Sequence, residues 1–339
     1  MYRLDEKLAR IQAGQYTSKD FIIADAKDPD MGPSLTGSGP KLAPDGSWTR
    51  YRTRAEFLDE IEAIVKQDVV DIMLTSVSNL EKLVKRGTFK GSKVKPVIRA
   101  NDTTDIWFVR GGSYPAKASR PFRTASLAQV MFGENTPRKT GPFYLTDLGL
   151  YSITFCNDVE ADLRSLEAFA RFREEAAACG FTYFLEVFNP NVETGIAPDL
   201  VPHYVNDCIV RALAGLVEAQ RPRFLKIAYN GPKALEELAS FDPSLVVGLL
   251  GGSAGTTRDT FELLHQGEKY GARVALFGRK INLAESPFAI VKLMRAVTDG
   301  DVSPEEGVRA YHGELQKQGL KPKRPLAEDA TITEAVLKH

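Results

Sequence analysis

Histidine and cysteine are scarce in this chain, four and three among 339 residues. His203, His265, His312 and His339 show no ligand-like spacing and none falls at the end of a predicted strand, which argues against a histidine-based metal centre. Cys156, Cys179 and Cys208 are odd in number and widely scattered, so reduced core cysteines of a cytoplasmic protein are expected rather than a disulfide framework. No apolar run approaches the roughly 18 residues of a membrane-spanning helix. The opening stretch, MYRLDEKLARIQAGQY, is charged and amphipathic and lacks the apolar centre of a secretion signal. Lysine plus arginine (44) equals aspartate plus glutamate (44), so no global field favours nucleic acid or an anionic membrane. Neither a GK[ST] phosphate loop nor a GxGxxG fingerprint occurs, and no cofactor is expected.

What is present is a recurring alternation. Short apolar, β-branched runs at 21–25, 69–74, 95–100, 150–156, 181–188, 223–229, 244–251 and 273–278 read as strands buried on both faces. Helical periodicity fills gaps between them. Residues 54–67 space their apolar side chains for one helix face, and 158–179 runs from a capping aspartate to Gly180. Residues 259–271 run from a polar start to a glycine, with Gly267 interrupting. Parallel strands need such crossovers, and eight of them predict a single α/β domain over 1–339, a (β/α)8 barrel. A doubly wound open sheet is the alternative; the count of eight favours the barrel.

Two segments break the alternation, 26–53 after the first strand and 101–148 after the third. Both are rich in glycine and proline, and insertions of this length are usually functional loops or disordered. In a barrel both leave the C-terminal face, where active sites are built. The second carries Arg110, Lys117, Arg120, Arg123, Arg138 and Lys139, which suit an anionic substrate, a subunit contact or solvated charge on a mobile loop.

The most informative residue is Lys226, inside the apolar run FLKIAY. Burying an ammonium is costly, so such a lysine either reaches for a carboxylate or does chemistry as a neutral amine that attacks carbonyls. Strand alternation puts Phe184 and Glu186 on one face of the fifth strand, and Phe224 and Lys226 on one face of the sixth. If those faces point into the barrel, a carboxyl stands beside an amine. A structural ion pair is the plain reading, although burial makes such a pair weak evidence for stability and better evidence for a site. Asp25 ends the first strand as a second carboxyl. Gly251, Gly252 and Ser253 follow the seventh strand, and Gly278 and Arg279 the eighth. Backbone amides in such turns can wrap a phosphate, a recurrent use of these two barrel loops, though glycines also simply turn strands into helices.

Taken together, Asp25, the LE pair of FLEVF (Glu186), the LK pair of FLKIAYNGP (Lys226), GGSAG (251–255) and FGRKIN (277–282) resemble the class I, Schiff-base aldolase superfamily. That superfamily includes deoxyribose-phosphate aldolase and archaeal-type fructose-bisphosphate aldolase; the pattern is most similar to the tagatose-bisphosphate and sulfofructose-phosphate aldolases. The resemblance implies Lys226 as the Schiff-base lysine. It implies phosphate binding by the Gly251–Gly252–Ser253 turn and by Gly278–Arg279. It further implies a metal-independent lyase acting on a phosphorylated sugar, and relatives of this type commonly form homo-oligomers. Close relatives often carry a second lysine on the fourth strand, whereas YSITFCND has none. Proton transfer then falls to Glu186 and Asp25 as the best-placed carboxyls. Arg99 is a candidate cation near the amine, and Tyr229, Tyr151 and Thr154 offer relay hydroxyls. Two other readings compete: acyl transfer from a phosphorylated diketone on the same scaffold, and a non-catalytic barrel that binds a sugar phosphate.

Overall fold

The computed structural model describes residues 1–43, 47–138, 143–251 and 255–338. Eight parallel strands close into a barrel: β1 (Ile22–Lys27), β2 (Ile72–Thr75), β3 (Lys95–Arg99), β4 (Leu148–Thr154), β5 (Thr182–Phe188), β6 (Leu225–Ile227), β7 (Gly248–Leu250) and β8 (Val274–Phe277). Each strand pairs with its sequence neighbours, and β1 pairs with both β2 and β8. The fold is the predicted (β/α)8 barrel. All eight predicted strands are present, and β6 and β7 are shorter than their apolar runs.

The helices used below are α1 (Arg3–Gln12), α2 (Arg54–Gln67), α3 (Leu127–Phe132), α4 (Val159–Cys179), α5 (Thr257–Lys269), α6 (Arg279–Asn282), α7 (Pro287–Thr298) and α8 (Pro304–Lys317). Their ends follow local chemistry. Thr53 and Glu56 form a reciprocal capping box on α2. Asp158 caps α4, which stops at Gly180 in the left-handed conformation, φ 70°. The helix expected over 259–271 starts two residues earlier, because Thr256 and Asp259 cap it reciprocally, and it runs through Gly267 unbroken.

Strand alternation divides the core in two. Ile22, Ala24, Ile72, Leu74, Val97, Leu148, Leu150, Phe184, Phe224, Val274 and Leu276 fill the barrel interior, with Leu4 and Leu8 of α1 plugging its N-terminal end. Ile23, Met73, Ile98, Tyr151, Leu185, Leu225, Leu249, Ala275 and Phe277 point the other way, into the larger layer between strands and helices. Phe184 and Phe224 stack inside at 4.4 Å, a contact worth about 1 kcal/mol beyond its buried area. They form a floor under the next inward-facing residues.

Both insertions carry structure of their own. The first contains an antiparallel pair, Pro40–Leu42 with Trp48–Tyr51. The second contains the short ladder of Asp102–Thr103 with Pro121–Phe122, the helix α3, and Trp107 packed on Tyr114 and Phe122. Of its basic residues, Arg123 pairs with Glu175 and Arg138 with Glu134, while Lys117 and Arg120 line an open pocket beside Tyr114. Lys139 and His339 lie outside the described residues.

Candidate active site

One step of alternation beyond the apolar interior, the inner wall turns polar. Arg99 stands two residues past Val97, Ser152 two past Leu150, Glu186 two past Phe184 and Lys226 two past Phe224. Strand register sets Ser152 beside Glu186 and Glu186 beside Lys226. Parallel pairing brings three neighbouring strands level, so these side chains form one row.

The row is tightly bonded. Lys226 Nζ lies 2.5 Å from Glu186 Oε1, and the two side chains are 9% and 2% exposed. Glu186 Oε2 accepts from Ser152 Oγ at 2.6 Å and from Arg99 Nη2 at 3.4 Å. Arg99 also donates to Ser152 Oγ at 2.8 Å, to the Asn101 carbonyl at 3.0 Å and to Asp28 Oδ2 at 2.9 Å. Asn101 clamps the main chain of Ser152 from both sides, accepting its N–H at 2.6 Å and donating to its carbonyl at 2.8 Å. Each oxygen of the buried carboxylate is thereby satisfied, as burial demands.

The electrostatics follow from burial and charge. Burial opposes the Arg99 guanidinium, but Glu186, Asp28 and Asp102 outweigh it and hold Arg99 above its usual value. Asp102 is pushed up to about 7 by burial, against the pull of Arg99. Its Oδ1 accepts the Thr103 N–H at 2.9 Å. Chemically, the arrangement offers an amine nucleophile, a carboxylate placed to exchange a proton with it, and a guanidinium and hydroxyl that orient the carboxylate.

The structure thus brings Lys226, Glu186 and Arg99 together; it does not bring Asp25 to them. Asp25 shares the parity of Ile23 and faces the outer layer, level with Met73 and Phe277 on the neighbouring strands. It is fully buried, neither carboxyl oxygen has a hydrogen-bond partner among the described residues, and Lys27 Nζ is 3.7 Å away. Burial, with Lys27 opposing, pushes its carboxyl up to about 7. Tyr229 also faces outward and donates to Gln266 Oε1 at 2.7 Å, and Tyr151 stacks on Phe172 at 4.4 Å. Thr154 donates to Asp105 Oδ2 at 2.7 Å.

Gly251 and Gly278 stand at the ends of β7 and β8, and each has a packing reason to be glycine. A Cβ on Gly251 would sit 2.4 Å from the Phe277 ring, and one on Gly278 would sit 2.9 Å from the Ala26 carbonyl oxygen. Gly252 and Ser253 lie outside the described residues. Arg279 is exposed on α6 and lines a cavity away from the inner row. Ser152, Asn101 and Asp28 were not singled out from the sequence. Ser152 was reachable by counting two residues on from Leu150, whereas Asp28 sits in a loop that has no period. Among the described residues no three His, Cys, Asp or Glu side chains gather to hold a metal ion, and no helix is long and apolar enough to cross a membrane.

No family model matches the chain, and no curated protein matches it in sequence. Several solved structures are similar in fold. An archaeal fructose-1,6-bisphosphate aldolase, with its catalytic lysine covalently bound to the carbinolamine intermediate, superposes with a TM-score of 0.61 at 16% identity, covering 87% of this chain and 99% of that one. A fructose-bisphosphate aldolase from Slackia heliotrinireducens gives 0.63 at 15% identity over 93% and 92%. A Corynebacterium glutamicum protein gives 0.58 at 19% identity over 88% and 98%. At these identities the likeness is one of fold.

Proposed function

We propose that this protein is a class I aldolase that cleaves or forms a C–C bond in a phosphorylated ketose through a Schiff base on Lys226. The observation that carries the reading is the Lys226–Glu186 contact of 2.5 Å on the inner wall of the barrel, at the C-terminal ends of the strands. The fold shared with an archaeal aldolase whose lysine holds a carbinolamine supports it.

The chemistry then proceeds as follows. The Lys226 amine, having passed a proton to Glu186, adds to the substrate ketone to give a carbinolamine. Glu186 returns a proton to the departing hydroxyl, water leaves, and an iminium forms. A base takes the proton from the hydroxyl on the β carbon, two carbons from the iminium carbon, and the bond that breaks is the one between that β carbon and the α carbon. The C–C bond breaks, its electron pair moves into the iminium, and an aldehyde departs, leaving an enamine. The enamine carbon takes up a proton and water hydrolyses the resulting iminium, freeing the amine. Glu186 is the proton carrier nearest the reacting nitrogen, held in place by Arg99 and Ser152. The turns at Gly251 and Gly278 hold the substrate phosphate in this reading, assisted by Gly252 and Ser253. The reaction needs no metal. The substrate is of the tagatose-bisphosphate or sulfofructose-phosphate kind, and the enzyme works as a cytoplasmic homo-oligomer.

Borohydride reduction with candidate ketose phosphates is expected to trap a covalent adduct on Lys226, read by mass spectrometry of the peptide. Aldehyde release should persist in a chelator and need no coenzyme A; thioester formation on adding coenzyme A would instead indicate acyl transfer. No adduct across a broad ketose panel, with full activity in Lys226→Met, would sink the proposal.

A further inference from the structure

Outside the barrel wall at β7 and β8 lies a second cavity, of about 180 Å3, lined by Arg279 and Lys280 of α6 and by Lys323, Arg324 and Asp329 of the C-terminal segment. At ~30 Å3 per water it holds roughly six waters' volume, room for one small oxyanion. Neither Lys226, Glu186, Arg99 nor Ser152 lines it, so it is distinct from the inner row.

Its charges do not balance. Four cations face two lining carboxylates, Glu285 and Asp329, with Glu328 beside them paired to Arg324, and both lining carboxylates already accept other hydrogen bonds. Glu285 accepts from Tyr311 Oη at 2.9 Å and from the Lys323 N–H at 2.7 Å. Asp329 accepts the Thr257 N–H at 2.8 Å and lies 3.0 Å from His312 Nε2. Lys280 and Lys323 turn instead to main-chain carbonyls. Lys280 Nζ donates to the Gly255 carbonyl at 3.0 Å, and Lys323 Nζ donates to that of Leu283. Arg324 pairs with Glu328 at 3.6 Å and reaches the Gly255 carbonyl at 3.4 Å. A carbonyl satisfies a donor without neutralising its charge. Lys280 is therefore a largely buried ammonium with no ion pair among the described residues. The remaining wall, formed by Leu283, Ile290 and Tyr311, is apolar or aromatic.

We propose that this cavity is an oxyanion site, for a group of the sulfate or phosphate class, with Lys280 as its principal ligand. The occupant supplies the negative charge that the lining lacks. Burial holds the Lys280 amine down to about 8; Asp329, Glu285 and Asp259 work against that and Arg324 with it. Arg279 and Lys323 also face the cavity, Tyr311 is held neutral by burial, and His312 stands behind Asp329. A bound anion favours the protonated amine, so affinity is full below about pH 8 and falls above it.

Sulfate is the probe, because its charge is constant across this range. Calorimetric titration of the full chain should show a sulfate-binding phase roughly tenfold weaker at pH 9 than at pH 7, the drop expected from deprotonating one lysine. Lys280→Met should remove that phase, and Lys226→Met should leave it intact. Lys280→Arg, which keeps its charge at both pH values, should bind sulfate equally at pH 7 and pH 9. Sulfate binding of wild-type strength in Lys280→Met, or an unchanged pH dependence in Lys280→Arg, overturns the assignment. Competition then identifies the natural source of the group. Displacement by phenyl phosphate at lower concentration than by inorganic phosphate assigns the site to an organic ester seated on Ile290 and Tyr311. Equal potency assigns it to the free oxyanion.

Discussion

Two lysine–carboxylate pairs flank the barrel wall, built from the same chemistry and facing opposite ways. Lys226 and Glu186 look inward, 2.5 Å apart, above the Phe184–Phe224 floor. Lys27 and Asp25 look outward, 3.7 Å apart and wholly buried under the helices. The outer lysine is tied to Glu60 of α2 at 2.8 Å. Glu60 also takes Arg52 from the first insertion, and Arg52 reaches Asn282 Oδ1 at 2.7 Å. The outer pair therefore belongs to a network that staples an insertion to the wall, where no substrate can arrive. The inner pair is held by Ser152 and Arg99 and lies at the C-terminal end of the barrel strands, the end at which barrels of this fold build their active sites. Residue type did not separate these pairs; the side of the sheet each occupies did.

Lys226→Met should break the inner pair's function most severely, lowering turnover by at least roughly 10^4-fold, the scale for removing a nucleophile. The check is a steady-state assay beside a thermal melt showing that the variant stays folded. Glu186→Gln keeps the shape but puts an amide donor in place of one accepting oxygen and cannot exchange a proton, and should lower kcat by roughly 10^2- to 10^4-fold. An unaltered kcat would remove Glu186 from the chemistry.

The outer pair should respond in stability instead. Lys27→Met leaves Asp25 without its cation and Glu60 with Arg52 alone, and should cost about 3–5 kcal/mol in urea unfolding, with activity per folded molecule unchanged. Asp25 sharpens the contrast through pH. Its folded carboxyl stands at about 7, above the ~3.9 of an unfolded chain, so the native state holds this proton more tightly. The stability this contributes is complete below about pH 4 and is lost as pH rises through 7, at most about 4 kcal/mol. Asp25→Asn should remove that part of the pH dependence and leave the part due to Asp102. A profile identical to wild type would count against this account. The smallest effect belongs to Ser152→Ala. Glu186 keeps Lys226 and Arg99, so losing the two hydrogen bonds of the Ser152 hydroxyl, to Glu186 and from Arg99, should lower kcat about tenfold with a small loss of stability, on the order of 1–2 kcal/mol.

Much of the fold could be read from the chain because strand and helix periods are local. Eight β-branched runs, the capping Asp158 and the stop at Gly180 predict elements that the structure contains. The side-by-side placement of Glu186 and Lys226 was likewise readable, since alternation gives each its face and adjacent strands supply the neighbour. Asp25 and Tyr229 were harder. Each follows a strand's apolar run in the sequence as a site residue would, but odd parity turns both into the helix layer. Asp28 and Asn101 lie in insertions without a period, so nothing local showed that they would close on Arg99 and Ser152.

The sequence by itself determined the elements, their order and the alternation of each strand, because backbone geometry imposes those patterns within a few residues. Only the tertiary structure decided which of two lysine–carboxylate pairs faces the barrel's interior. It also decided where Lys280 comes to rest, enclosed by a C-terminal segment more than forty residues further on. Burial and partnership across distant segments set the environment of a charge, and no local pattern encodes them.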